Sequence, residues 1–518
     1  MDKNTVGFIA ASAAFLLIWY KFFSPTPTVV NVQSGIGGVE TSTFKGLAES
    51  PSPLFPLNGF KKSGKLPVIF QMEKTLETDF AKVVMVSQGA GVQNWWVKNG
   101  RNPVDLVNPN LKEFPLSTFP DINFEQIRSG KNEVEWRAVL DSGAELRKRV
   151  TLDSSAPFAD IVLSLKNLTR ETVEVKDFGI GWQGGLGTVE SERKENEGVT
   201  RILAYPSLSK EVQVFKTGTH PQNYLWAGID NRYYFLSFFP DAKDFNSLAV
   251  LKDKKNPGDI KLYSPSIRLN PGEIREFTLR IYAGAKGYQA LKSWNLSLEH
   301  SVDFGYFGFL GKTAMKAMSK VHTLTHNYGL AIILLTLGLQ VIVFPFTLTS
   351  YKSMAIMKRL QPKMKEIQDR YKADPKRLSS EMMNLYKQAG TTPFSGCLPM
   401  LLQMPVLIAF YTMLRNAYEL NGAPFAFWIQ DLSKHDTYYV LPILTGGVMY
   451  LQQYLSGSVA TDPTQKNMMR MMPIVFTFMF LSSPSGLALY WLTNSLASMI
   501  VQLWATRRYA QVSTKLAI

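Results

Sequence analysis

GLAIILLTLGLQVIVFPF, residues 329–346, is an apolar run with a full amide, Gln340, two thirds of the way along it. A run of this composition reads as part of a membrane span, where a strongly polar side chain is expensive and normally faces protein or water. Gln340 is therefore a functional candidate before anything else is known of the chain, and the rest of the sequence must supply what it serves.

Working outward, the run belongs to a series of apolar stretches. The first, VGFIAASAAFLLIWY at residues 6–20, has no small-residue cleavage site after it and reads as an uncleaved anchor. The others cover about 328–349, 397–414, 438–455, 468–483 and 485–505, with SPSG at 483–486 as the turn of a final hairpin. Loop charge sets their orientation. Residues 351–392 hold ten Lys/Arg against four Asp/Glu and are placed in the cytoplasm, whereas 416–437 carries three acidic residues against Lys434 and is placed outside.

The net charge of +15 is concentrated in the same way. Twelve of those charges lie in 351–392, in Lys312, Lys316 and Lys320, and in Arg507, Arg508 and Lys515. All three groups flank apolar spans, where lipid headgroups and membrane orientation account for them and no nucleic-acid partner is needed. The single cysteine, Cys397, excludes a disulfide framework, and His322 and His326 in HTLTH lack the glutamate of a zinc-protease motif. No cofactor or metal is expected.

Between the anchor and the later spans, a Pro-, Gly- and Ser-rich linker (24–60) leads into short alternating runs such as ELRKRVTL (145–152), ADIVLSLKNL (159–168) and REFTLRIYAG (275–284). Period-two alternation broken by turn clusters such as LNPGE (269–273) predicts an antiparallel β-sandwich. In FGYFGFLGKTAMKAMSKV (304–321), Lys312, Lys316 and Lys320 recur every four residues on one helical face, which predicts a helix lying in the headgroup plane against membrane lipids. Within 351–392, Met354, Met357, Leu360, Met364, Ile367 and Tyr371 repeat at helical spacing. Asp374 and Pro375 then stand where a cap and a first-turn proline would start a second helix, giving a hairpin.

The motifs TTPFSGCLPMLLQMPVLIAFYTML (391–414), APFAFWIQDLS (423–433), TDPTQ (461–465), MMPIVFT (471–477) and PSGLALYW (484–491) resemble the YidC membrane protein insertases, and the resemblance runs nearly continuously over 304–505. It implies the Gram-negative form, with a large periplasmic domain. The expected architecture is a membrane α-helical bundle of six transmembrane helices, a periplasmic β-sandwich and a cytoplasmic helical hairpin. Its divisions are an anchor at 1–23, linker 24–60, β-sandwich 61–300, interfacial helix 301–326, second span 327–350, hairpin 351–392, third to sixth spans 393–505 and tail 506–518.

The resemblance further implies a non-enzymatic insertase and chaperone of the bacterial inner membrane, whose clients are nascent membrane proteins. It would act alone or beside the Sec translocon, and 351–392 would meet the ribosome or a targeting receptor. Clients would enter a hydrophilic cleft open to the cytoplasm and slide along the third and fifth spans. Candidate cleft residues are Gln340, Thr336, Gln403, Thr493, Asn494 and Ser495, and candidate slide residues are Met404, Phe476 and Met479. Where such proteins usually carry a cleft arginine this chain has Gln340, an amide that can donate and accept hydrogen bonds but is no fixed cation. The competing expectation, a polytopic transporter or channel, would call for repeated halves, and the five later spans show no internal repeat.

Overall fold

A computed structural model describes residues 72–512 apart from 99–102, 110, 112, 208–210, 222–223, 242, 246, 253–256, 265, 390–397 and 457–462. The anchor and linker expected at 1–60 lie outside the described residues. The chain divides into two compact units, one ending at Val302 and the other beginning at Asp303.

The first unit is built from antiparallel β-sheet. Its largest sheet has nine strands in the spatial order Gln213–Val214, Arg201–Pro206, Tyr224–Asp230, Tyr234–Pro240, Ile274–Ala285, Phe158–Asn167, Ala144–Leu152, Glu133–Val139 and Glu125–Ser129. Among the described residues, two four-stranded sheets and a two-stranded ribbon complete it. Four tryptophans, Trp95, Trp136, Trp182 and Trp226, are fully buried, and Trp95 meets Trp182 edge to face at 6.3 Å between ring centres.

Alternation along Ala144–Leu152 shows how sequence sets the faces. Leu146, Val150 and Leu152 point inward, while Arg147 and Arg149 point out and pair with Glu145 and Glu135. Lys148 falls on the inward phase and obeys it: the side chain is wholly buried, with Trp136 and Leu163 as its cross-strand neighbours. Its Nζ donates to the Leu116 carbonyl and sits 3.4 Å from Thr118 Oγ1.

Burial without a carboxylate partner pushes the Lys148 ammonium down to about 7. The unfolded chain, with an ordinary lysine, then binds more protons than the fold from that value up to about 10.4, so stability rises with pH across that window. Lys148→Met should flatten the rise. Thermal unfolding followed by tryptophan emission checks this, and equal pH slopes for the two proteins would contradict it.

A second buried polar node closes the end of this unit. Asp230, with no exposed side-chain surface, lies 2.5 Å from Arg201 Nη2 and 3.0 Å from Lys286 Nζ. The same Arg201 nitrogen donates to the Ser301 carbonyl at 2.8 Å, and Lys286 donates to the Asn231 carbonyl. One carboxylate thus ties two strands to the segment that leaves the domain.

The second unit is helical: α1 (Gly308–Thr325), α2 (Tyr328–Arg370), α3 (Pro375–Gln388), α4 (Leu398–Asn416), α5 (Val440–Ser456), α6 (Pro463–Leu481) and α7 (Ser485–Val512). Helix α1 buries Ala314, Met315 and Met318, exposes Phe309, Leu324, Lys316 and Lys320, and leaves Lys312 half-buried. It ends at His326 in the left-handed region (φ 50°), and the Asn327 side chain then caps α2 by accepting from Leu330 N at 3.0 Å.

The sequence reading divides the second span from the hairpin at residue 350, but α2 continues unbroken through both for 43 residues, with Pro345 and Pro362 inside it. Met357, Met364 and Tyr386 form the buried core between its end and α3, which Asp374 caps by accepting from Lys376 N and Arg377 N. Among the described residues one helical segment, Tyr328–Met354, is long and apolar enough to cross a membrane by length and composition.

Candidate functional site

Gln340 lies twelve residues into α2, about 18 Å along its axis at 1.5 Å per residue, near the middle of the apolar segment Tyr328–Met354. Its Nε2 donates to Asn494 Oδ1 at 2.5 Å and to Ser498 Oγ at 3.1 Å, and lies 3.5 Å from the Asn494 carbonyl. From α4, Gln403 Nε2 approaches the same Asn494 Oδ1 at 3.3 Å and Tyr490 Oη at 3.4 Å.

Tyr490, Asn494 and Ser498 are spaced i, i+4, i+8 and so share one stripe of α7. Amides from three helices therefore meet around Asn494, which is buried, while Gln340 and Gln403 remain half-buried.

The cluster continues toward the hairpin end of α2. Tyr351 Oη donates to the Ser498 carbonyl at 3.3 Å and also bonds the Gln452 side chain of α5. Next along α5, Gln453 Nε2 donates to the Met469 carbonyl of α6 at 2.5 Å. Beneath the amides, Phe410 of α4 stacks on Tyr490 at 4.9 Å.

Other sequence candidates are placed differently. Thr336 is fully buried and its hydroxyl donates to the Ile332 carbonyl of its own helix. Thr493 likewise donates to Leu489 O. Ser495 is buried, one residue and about 100° around the helix from Asn494. Of the six cleft candidates the structure brings Gln340, Gln403 and Asn494 together; Thr336 and Thr493 spend their hydroxyls locally.

The slide candidates Met404, on α4, and Phe476 and Met479, on α6, are half-buried, and Phe476 stacks on Trp491 of α7 at 5.4 Å. Sequence reasoning missed Tyr490, Ser498 and Tyr351. Helical spacing counted in both directions from Asn494 would have found the first two.

At the opposite helix ends, the loop 417–439 is stitched down by a buried carboxylate. Asp436 accepts from Trp428 Nε1 (2.8 Å), Tyr438 N (3.1 Å) and Leu441 N (2.7 Å). The Lys434 carbonyl accepts from Ser485 N and Oγ, both at 2.7 Å, and Asn327 Nδ2 reaches the Phe425 carbonyl at 2.8 Å. The starts of α2, α5 and α7 are thereby held by one ordered loop. Asp436→Ala should lower the thermal midpoint of the intact protein by about 4–8 °C, the effect of losing roughly 2 kcal/mol of charge-assisted hydrogen bonds. A shift within measurement error would show the loop to be held by its other contacts.

Two family models match this chain: the 60Kd inner membrane protein over residues 320–512 and the YidC periplasmic domain over 73–316. A membrane protein insertase YidC of Endomicrobium trichonymphae is 36% identical over 98% of this chain and 99% of its own length. Those of Syntrophus aciditrophicus and Geobacter metallireducens are 31% and 34% identical, over 98% and 99% of this chain and all of theirs. Among solved structures, an active YidC insertase with its first transmembrane domain resolved matches 83% of this chain and 92% of its own at 18% identity and a TM-score of 0.38.

Proposed function

This chain belongs to the YidC family of membrane protein insertases, and we propose that the amides gathered on α2, α4 and α7 form a wet cleft through which it hands clients to the bilayer. Membrane insertion is its function, its site is the inner membrane, and its clients are nascent membrane proteins; the chemistry is not enzymatic. The cleft is the step beyond that. A client's polar segment cannot cross hydrocarbon with its backbone groups unsatisfied, because each such group costs several kcal/mol. Side chains that hydrogen-bond halfway across lower that barrier without making or breaking a covalent bond.

The observation that carries the proposal is the meeting of Gln340, Gln403 and Asn494 at mid-depth, with both glutamines still partly exposed. Around them the helices present apolar side chains outward: Val341 and Ile342 on α2 and Phe478 on α6 are each about two thirds exposed or more, a surface suited to acyl chains. In this reading α2, α4, α5, α6 and α7 are five spans, residues 1–23 supply a sixth, and the N-terminus and the hairpin 351–392 lie in the cytoplasm. The Sec translocon, and a ribosome or targeting receptor at the hairpin, are the partners proposed. The transporter reading has no comparable support, since relatives matching nearly the whole chain are insertases.

Site-specific crosslinking tests the path. A photoreactive residue at position 340 and another at 404 should both capture a stalled nascent client. Capture at neither position would place the route elsewhere.

A further inference from the structure

The hydrogen bonds around Asn494 fix which way the glutamine amides face. Gln340 Nε2 sits 3.5 Å from the Asn494 backbone carbonyl, which can only accept, and 2.5 Å and 3.1 Å from Asn494 Oδ1 and Ser498 Oγ. The nitrogen must therefore lie on the α7 side, and the amide oxygen, at the other corner of the planar group, on the side away from it. Gln403 repeats the arrangement, with its Nε2 directed to Asn494 Oδ1 and Tyr490 Oη. Both amides commit their donors to the buried helix face.

We infer that the cleft offers hydrogen-bond acceptors to its client, so that it receives translocated segments through their N–H groups and discriminates against carboxylates. This rests on the wet-cleft reading above and names the substrate class that such a cleft would take. An incoming lysine, asparagine or backbone amide meets amide oxygens directly. An incoming aspartate meets the same oxygens and is repelled; Gln340 could serve it only by rotating its amide and giving up its bonds to Asn494 and Ser498.

The test uses the full-length protein in phosphatidylcholine liposomes without an ion gradient, and a two-span client carrying Lys or Asp at one position of its translocated segment. Protease protection, corrected for protein-free liposomes, measures insertion. Comparing two charged clients removes the shared cost of moving any charge through lipid. The Lys client should insert roughly threefold better than the Asp client, the effect of one hydrogen bond of modest net strength. Gln340→Arg should invert that order, which a purely structural residue would not do.

A Lys-to-Asp ratio at or below one in the wild-type protein overturns the inference whether or not the arginine variant folds. If the ratio is one while Gln340→Leu is impaired, the cleft stands and its acceptor character falls. If Gln340→Leu inserts both clients like wild type, both readings fall.

Discussion

Replacing Gln340 with leucine should slow client insertion about tenfold, the rate equivalent of roughly 1.4 kcal/mol for one lost hydrogen-bonding group at hydrocarbon depth. The change acts twice. It removes the amide that a client would meet, and it leaves Asn494 Oδ1 with only the longer approach from Gln403 at 3.3 Å. An apolar side chain in that space would also exclude the water that the proposed cleft requires. Gln340→Arg keeps a donor-rich polar group in place and should retain overall activity while altering which clients are preferred. The measurement is the initial rate of protease-protected client in proteoliposomes. A leucine variant as fast as the native protein would reduce Gln340 to a packing residue.

The largest stability effect is expected in the β-domain. Asp230→Ala should destabilise the β-domain by about 3–5 kcal/mol, the usual result of removing one partner from a buried ionic cluster. Arg201 and Lys286 are 14% and 5% exposed, so neither cation can be fully solvated once the carboxylate is gone. The Ser301 carbonyl, held by the same guanidinium, would lose a partner whose position depends on Asp230. Denaturant unfolding of the intact chain, read through the buried tryptophans, measures the change. A loss below about 1 kcal/mol, the range of exposed ion pairs, would mean that water reaches the node.

Much of the fold could be read from periodicity alone, because alternation and helical spacing are local. ELRKRVTL falls within the strand Ala144–Leu152, ADIVLSLKNL matches Phe158–Asn167 to within one residue at each end, and Asp374 with Pro375 starts α3. What local pattern could not give was the partner of each polar group. Thr493, Asn494 and Ser495 are neighbours in sequence, but successive helical residues point about 100° apart, so only Asn494 reaches Gln340. Tyr490 and Tyr351 carry no signal in the sequence, since nothing there shows that their hydroxyls meet Gln403 and the Ser498 carbonyl.

Lys148 was visible as a basic residue in an alternating strand, and its phase placed it inward. That it lies under the segment carrying Leu116 and Thr118 depends on contacts across 30 and 32 residues of sequence. The boundary drawn between the second span and the hairpin at residue 350 is not a helix boundary: basic residues after Tyr351 signal the end of a span, yet they do not interrupt a helix, and α2 runs on to Arg370.

Water at position 340 is the central claim, and labelling tests it most directly. In a background with the single native cysteine changed, Cys397→Ser, two variants would be compared in native membranes: Gln340→Cys, on the cleft side of α2, and Ile342→Cys, which is 71% exposed on the helix surface assigned to lipid. A membrane-impermeant maleimide added from the cytoplasmic side should label the first and leave the second unmodified. If neither reacts, the amides are sealed in a dry bundle and no polar segment passes there.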